Sequence, residues 1–259
     1  MQFKVELQLE KRSQLTSIGQ HWDNIMYQYN PLHCLPSSAE LPDSDDKPVD
    51  SELQILIPNL LLAILSVIWQ SREDWYFGIN MGVYYEPSQD AIVPDGFLSL
   101  GVERFVGENG RSSYVFWEEE NVAPIFALEV VSQTYNGEYE QKKTDYAELG
   151  ILYYVIYAPT RLRRKRQRLE IYRLVDGQYI LQPGDRVWMP EIGLAIGRER
   201  GTYQGRTREW LFWFDRDGNR YKTPEEIDAE QRQRLAQAQQ QLAELLTKLR
   251  QQGIDPNTL

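Results

Sequence analysis

The chain has 259 residues, 42% of them hydrophobic, 25% charged and 12% aromatic, which places it with ordinary globular proteins and excludes disordered, collagenous and disulfide-stapled classes. Asp and Glu number 38 against 28 Lys and Arg, a net charge of -10, so any affinity for nucleic acid must come from a local basic patch rather than the average field. A single cysteine, Cys34, and no charged-then-apolar leader predict a reducing, cytoplasmic setting. The longest apolar stretch, Ile55 to Trp69, is about fifteen residues, short of the roughly twenty that cross a bilayer, so no membrane association is expected.

Residues 1–50 end in Pro31, Pro36 and the acidic run LPDSDDKPVD; such a composition buries little and turns often, and reads as an arm or linker. His21, His33 and Cys34 lack the paired spacings of zinc sites. From Ser51 the stretch SELQILIPNLLLAILSVIWQ supplies the apolar surface of a first core helix, in which Pro58 marks a kink or a late start. Strand candidates follow in WYFGINMGVYY, AIVPDGFLSL, SYVFWEE, PIFALEVVS and ILYYVIYA, separated by turn residues such as Gly78, Gly82, Pro87, Gly101 and Gly107. Among them NGEYEQKKTDYAELG has helical character: Tyr139, Tyr146 and Leu149 share a face and Gly150 is a natural stop. Strand, helix and strand in that order predict an α/β domain over residues 51–222, a mixed central sheet with helices packed on it. A hairpin at RLEIYRLVDGQYILQ extends it, with Asp176-Gly177 as its turn.

The segment 223–259 opens on Thr223-Pro224-Glu225-Glu226, an N-cap, a first-turn proline and a capping-box glutamate. Leu235, Ala238, Leu242, Leu245 and Leu249 recur at heptad spacing amid Gln, Arg and Glu, so this amphipathic helix either pairs with another chain, as a coiled-coil homodimer, or packs on its own domain.

Pro94-Asp95 interrupts an apolar run, and Glu129 stands in the middle of PIFALEVVS, where alternation puts Ile125, Ala127, Glu129 and Val131 on one face. A carboxylate there is expected to be half buried, and a buried ionised group needs a cation, a donor or water. Either acid alone has an ordinary explanation, a turn for Asp95 and an arginine bridge or solvated face for Glu129; together they invite a metal. Lys142 falls between Tyr146 and Leu149 on the helical wheel, and Lys143 lies on the other flank of the same arc, so the wheel does not choose between them. Snorkelling of either stem over apolar surface explains both lysines without chemistry.

The order VPD, FALEVVS, a helix with Lys142 four residues before Tyr146 and Gly150 four after it, then LYYVIYAP, resembles the Uma-two family of bacterial restriction endonucleases, within the PD-(D/E)XK nuclease-like superfamily. The resemblance covers about Ser51 to Leu181. It implies a restriction-endonuclease-like α/β fold in which Asp95, Glu129 and the main-chain carbonyl of Val130 hold Mg²⁺, with Mn²⁺ as a substitute. The usual superfamily lysine would lie two residues after the glutamate, where this chain has Val131; the family pattern transfers its role to Lys142. Ser132 and Thr134 match small hydroxyl positions of the motif, and Glu52 at the head of the first helix matches an occasional additional acid, though it equally suits a helix N-terminus. The chemistry implied is metal-assisted hydrolysis of a DNA phosphodiester.

The basic run RLRRKRQR, with Arg163, Arg164, Lys165 and Arg166 at its centre, is the strongest cationic cluster and is expected either to meet DNA phosphates or to be a solvated hairpin tip. Arginines between Arg198 and Trp210 add to the same surface or keep a loop soluble. Two other readings stand beside the nuclease: a catalytically inactive nuclease-like DNA-binding or scaffold module that recruits partners through its terminal helix, and a glycoside hydrolase using acids such as Glu118, Glu119 and Glu120, which leaves the Lys142 helix without a role.

Overall fold

A computed structural model describes residues 51–131, 137–160 and 166–252. Helix α1 (Glu52–Ile68) begins at the Ser51 N-cap position and runs through Pro58. Ile57, Leu60, Leu61, Ile64 and Leu65 are fully buried along it, the i, i+3, i+4, i+7 stripe of a helix laid on a sheet. Burial of this stripe outweighs the roughly 3 kcal/mol that an interior proline costs.

The strands β1 (Trp75–Gly78), β3 (Gly96–Leu100), β5 (Phe126–Val130), β6 (Tyr153–Tyr157), β7 (Leu169–Val175) and β8 (Gln178–Leu181) form one mixed sheet in that order. Only β5 and β6 pair in parallel within it, as the crossover through helix α2 (Gln141–Glu148) between them requires. The expected α/β architecture of a mixed sheet flanked by helices is therefore present. A separate pair, β2 (Val83–Tyr84) and β4 (Tyr114–Val115), is parallel and short. The expected strand SYVFWEE is mostly something else: after β4 the chain turns through a 3₁₀ helix at Phe116–Glu118. Its aromatic content suits a strand, but Glu119 is drawn into an ion pair with Arg111 at 2.5 Å, and that side chain tightens the turn.

Strand alternation sorts the core. Phe126, Leu128 and Val130 face α1, while Ala127 and Val131 face the layer containing Tyr146 of α2. A third layer was not foreseen from the sequence. Strands β9 (Arg186–Met189), β10 (Leu194–Tyr203) and β11 (Arg206–Phe214) form an antiparallel sheet that packs on the α1 side, where Trp210, Leu211, Phe212, Trp213 and Phe214 join the main cluster. The indole N–H of Trp213 donates to the Leu61 carbonyl at 3.0 Å, tying β11 to the middle of α1.

Helix α3 (Pro224–Gln251) carries the expected capping box: Thr223 accepts from the Glu226 amide and the Glu226 carboxylate accepts from the Thr223 amide. None of its residues is buried, and Leu235, Leu242 and Leu245 are exposed. Among the described residues no helix is long and apolar enough to cross a membrane.

Candidate active site

Asp95 immediately precedes β3, and it reaches the sheet because Gly96 does. A methyl group on Gly96 would meet the Phe77 ring at 3.2 Å and Pro58 at 3.3 Å, so glycine favours the close approach of β3 to β1 and α1. The Asp95 carboxylate then accepts a hydrogen bond from the Val130 amide at 2.6 Å, linking the head of β3 to the end of β5. The sequence points to Val130 for its carbonyl; it is the amide of the same residue that fixes Asp95.

Glu129, one residue earlier, projects to the α2 face. It is 2% exposed, fully buried rather than half buried as alternation alone suggests, because α2 closes over it. The Lys142 ammonium lies 2.8 Å from one of its oxygens, and the Tyr146 hydroxyl donates to the other at 2.5 Å. Lys142 and Tyr146 are four residues apart in α2, hence on one helical face, and Gly150, at φ 75°, follows the helix end. The Ile151 amide there returns to the Tyr146 carbonyl at 3.0 Å, a turn that sets the position of Tyr146. Lys143 points elsewhere: its ammonium sits 3.8 Å from the centre of the Tyr172 ring.

A third acid completes the group. Glu138 is 3% exposed, and its charge acts on Asp95, Glu129 and Lys142 alike. Its main-chain carbonyl accepts from the Tyr154 hydroxyl at 2.6 Å, which holds the start of the α2 segment against β6. Sequence reasoning missed Glu138, which lies in the turn before α2 rather than on its helical face.

Burial of these acids disfavours their charged forms. Burial, and then the neighbouring Glu129 charge, push the Asp95 carboxyl up to about 8, against the lowering effect of the Val130 amide. Burial also raises Glu129, opposed by the charge and hydrogen bond of Lys142 and by Tyr146. Lys142 itself is held above the usual range: burial disfavours its ammonium, but Glu129 outweighs that. Among the described residues no three His, Cys, Asp or Glu side chains are arranged to enclose a metal ion by themselves.

The remaining candidates lie apart. Glu52 pairs with Arg206 at 2.9 Å, in keeping with its helix-terminal reading. Arg166 is 3.4 Å from Glu170 and stacks over the Tyr139 ring. Ser132, Thr134, Arg163, Arg164 and Lys165 lie outside the described residues. Of the acids considered for glycoside hydrolysis, Glu119 is committed to Arg111. A model of the Uma2 family, described as "Putative restriction endonuclease", matches residues 47–201, more than half of the chain. No curated protein matches the sequence significantly.

Proposed function

The chain belongs to the Uma2 family, and from that premise we propose that it is a divalent-metal-dependent endonuclease hydrolysing DNA phosphodiester bonds, with Asp95, Glu129 and Lys142 as its working set. The observation that carries this reading is the convergence of Asp95 and Glu129, from the ends of neighbouring strands, with the Lys142 ammonium on Glu129.

The residues present fit a metal. Two carboxylates and the Val130 carbonyl make an all-oxygen donor set of the hard kind that Mg²⁺ takes, with water completing the shell and Mn²⁺ as a substitute. Burial raises both Asp95 and Glu129, and a cation bound between them would favour their charged forms. When bound, the ion polarises the phosphoryl oxygen and lowers the pKa of a bound water. The chain supplies the rest. The Val130 amide holds Asp95 in one orientation, and Tyr146 and Lys142 fix Glu129 from two sides, so both acids are oriented before loading. Lys142, released in part from Glu129, orients the attacking water and offsets the charge that grows on the phosphate.

Supercoiled plasmid incubated with the purified chain tests this. Nicking with Mg²⁺ or Mn²⁺ is expected, lost with EDTA and in Asp95→Asn, Glu129→Gln and Lys142→Met. Absence of metal-dependent nicking by folded wild-type protein contradicts it. A cytoplasmic setting belongs to the same reading, supported by the single cysteine.

One observation favours a second reading, a catalytically silent DNA-binding or scaffold module: both Glu129 oxygens are already engaged by Lys142 and Tyr146. Such a module would associate through the exposed leucines of α3 as a homodimer, seen by sedimentation, and leave plasmid intact.

A further inference from the structure

The end of β5 that carries Glu129 and Val130 lies beside the end of β6, with Val130 opposite Tyr157. Ligands of α/β sheets gather at such carboxyl ends of parallel strands. Two residues past Tyr157, beyond the end of β6, the Pro159 carbonyl gathers two arginines from distant parts of the chain. Arg168 donates to it at 3.1 Å and to the Ala158 carbonyl at 3.4 Å; Arg208 of β11 donates to it at 2.9 Å. Among the described residues neither has a carboxylate closer than 4.0 Å: Arg168 is 4.0 Å from Glu209, and Glu209 is already bonded to Arg198 at 2.8 Å, which also takes Asp185. Arg208 bonds the main-chain carbonyls of Pro159 and Glu209 and lies over the Trp210 ring.

A guanidinium has five N–H donors. Carbonyl anchoring uses some of them and fixes the plane, while the remaining donors and the whole positive charge stay available on two partly exposed side chains. In a chain of net charge -10, a carbonyl-anchored cationic pair at the carboxyl end of β6 is a place of charge reversal, and it matches a phosphodiester backbone, which arginine binds in bidentate fashion.

We propose that Arg168 and Arg208 form a phosphate-binding edge that holds the backbone of duplex DNA at the end of β6, the strand paired with the one that carries Glu129. This rests on the endonuclease reading. It narrows the expectation drawn from the sequence: of the basic run it takes Arg168 rather than Arg166, whose charge is turned to Glu170, and of the arginines between Arg198 and Trp210 it takes Arg208.

The test is binding of a fluorescein-labelled 20-base-pair duplex to the full chain, by anisotropy across a KCl series with Ca²⁺ present. Each lost phosphate contact lowers the slope of log K against log[salt] by about 0.9. Arg168→Met with Arg208→Met is expected to reduce it by almost 2, equally for unrelated sequences, and the double lysine variant to restore most of it. Arg72→Met, which breaks a surface pair with Asp74, should leave it unchanged. An unaltered slope in a folded double methionine variant overturns the proposal, as does wild-type protein that ignores the duplex or prefers single-stranded RNA. Magnesium uptake by wild-type protein, read by calorimetry, judges the metal site separately, so the edge and the site fail independently.

Discussion

Glu129 sits at the centre of a buried strand because two donors answer it, the Lys142 ammonium and the Tyr146 hydroxyl. Removing a donor from a buried carboxylate costs more than the bond, since the acceptor keeps its desolvation penalty. Tyr146→Phe is expected to lower unfolding free energy by about 1–2 kcal/mol and Lys142→Met by about 1–3 kcal/mol, measured by urea denaturation. Glu129→Gln in the Lys142→Met background should recover part of the loss, because the remaining amide carries no charge. No change in either single variant would mean that Glu129 is already neutral and unbonded in solution. At this scale Asp95 and Glu129 stood out in the sequence by residue type and position, and Lys142 by the family resemblance. The choice between Lys142 and Lys143 was not, because both flank one helical arc and only the position of the Tyr172 ring separates them. Glu138 was hidden for a different reason: it lies in the turn before α2, where periodicity says nothing about burial.

Helix α3 was legible from its capping box, and that box has a pH signature. Glu226 is held below the usual carboxylate range; burial raises it, but Arg220, at 2.7 Å, and the Thr223 amide outweigh that. A depressed acid stabilises the folded state above its unfolded pKa, near 4.5, and that contribution is lost as pH falls through the lower folded value. Helicity at 222 nm should therefore fall below pH 4.5 more steeply in wild type than in Glu226→Gln, which lacks this contribution throughout; parallel curves would contradict it. Strands β9 to β11 were not legible. The stretch RERGTYQGRTREW reads as a charged loop, yet its charges are the outward partners of a hairpin, with Arg198 bonded to Glu209 across β10 and β11. Alternation fails in the apolar half of the pair, where Trp210 to Phe214 are all buried. SYVFWEE misled in the opposite direction, its aromatic residues suiting a strand that a charged side chain converts to a 3₁₀ turn.

In the whole molecule, α1 is clamped between two sheets, and both faces contribute to placing the site. The central sheet brings Asp95 and Glu129 together, and β11 presses α1 down onto Gly96 through Trp213 and its bond to Leu61. Trp213→Ala opens a cavity in the main core and removes that bond, and is expected to cost about 3–5 kcal/mol by urea denaturation; a loss under about 1 kcal/mol would show that the β9–β11 layer is peripheral. The α/β class was legible because strand, helix and strand follow in order around Glu129. The third layer depends on contacts between residues far apart in the chain, such as Leu61 and Trp213, which no local pattern announces. The central claim is that Asp95 and Glu129 share one divalent ion. Anomalous diffraction from crystals soaked in Mn²⁺ tests it most directly: the account predicts one peak bounded by both carboxylates and the Val130 carbonyl, absent in Asp95→Asn. Ordered carboxylates without a peak, with Lys142 and Tyr146 still bonded to Glu129, would contradict it.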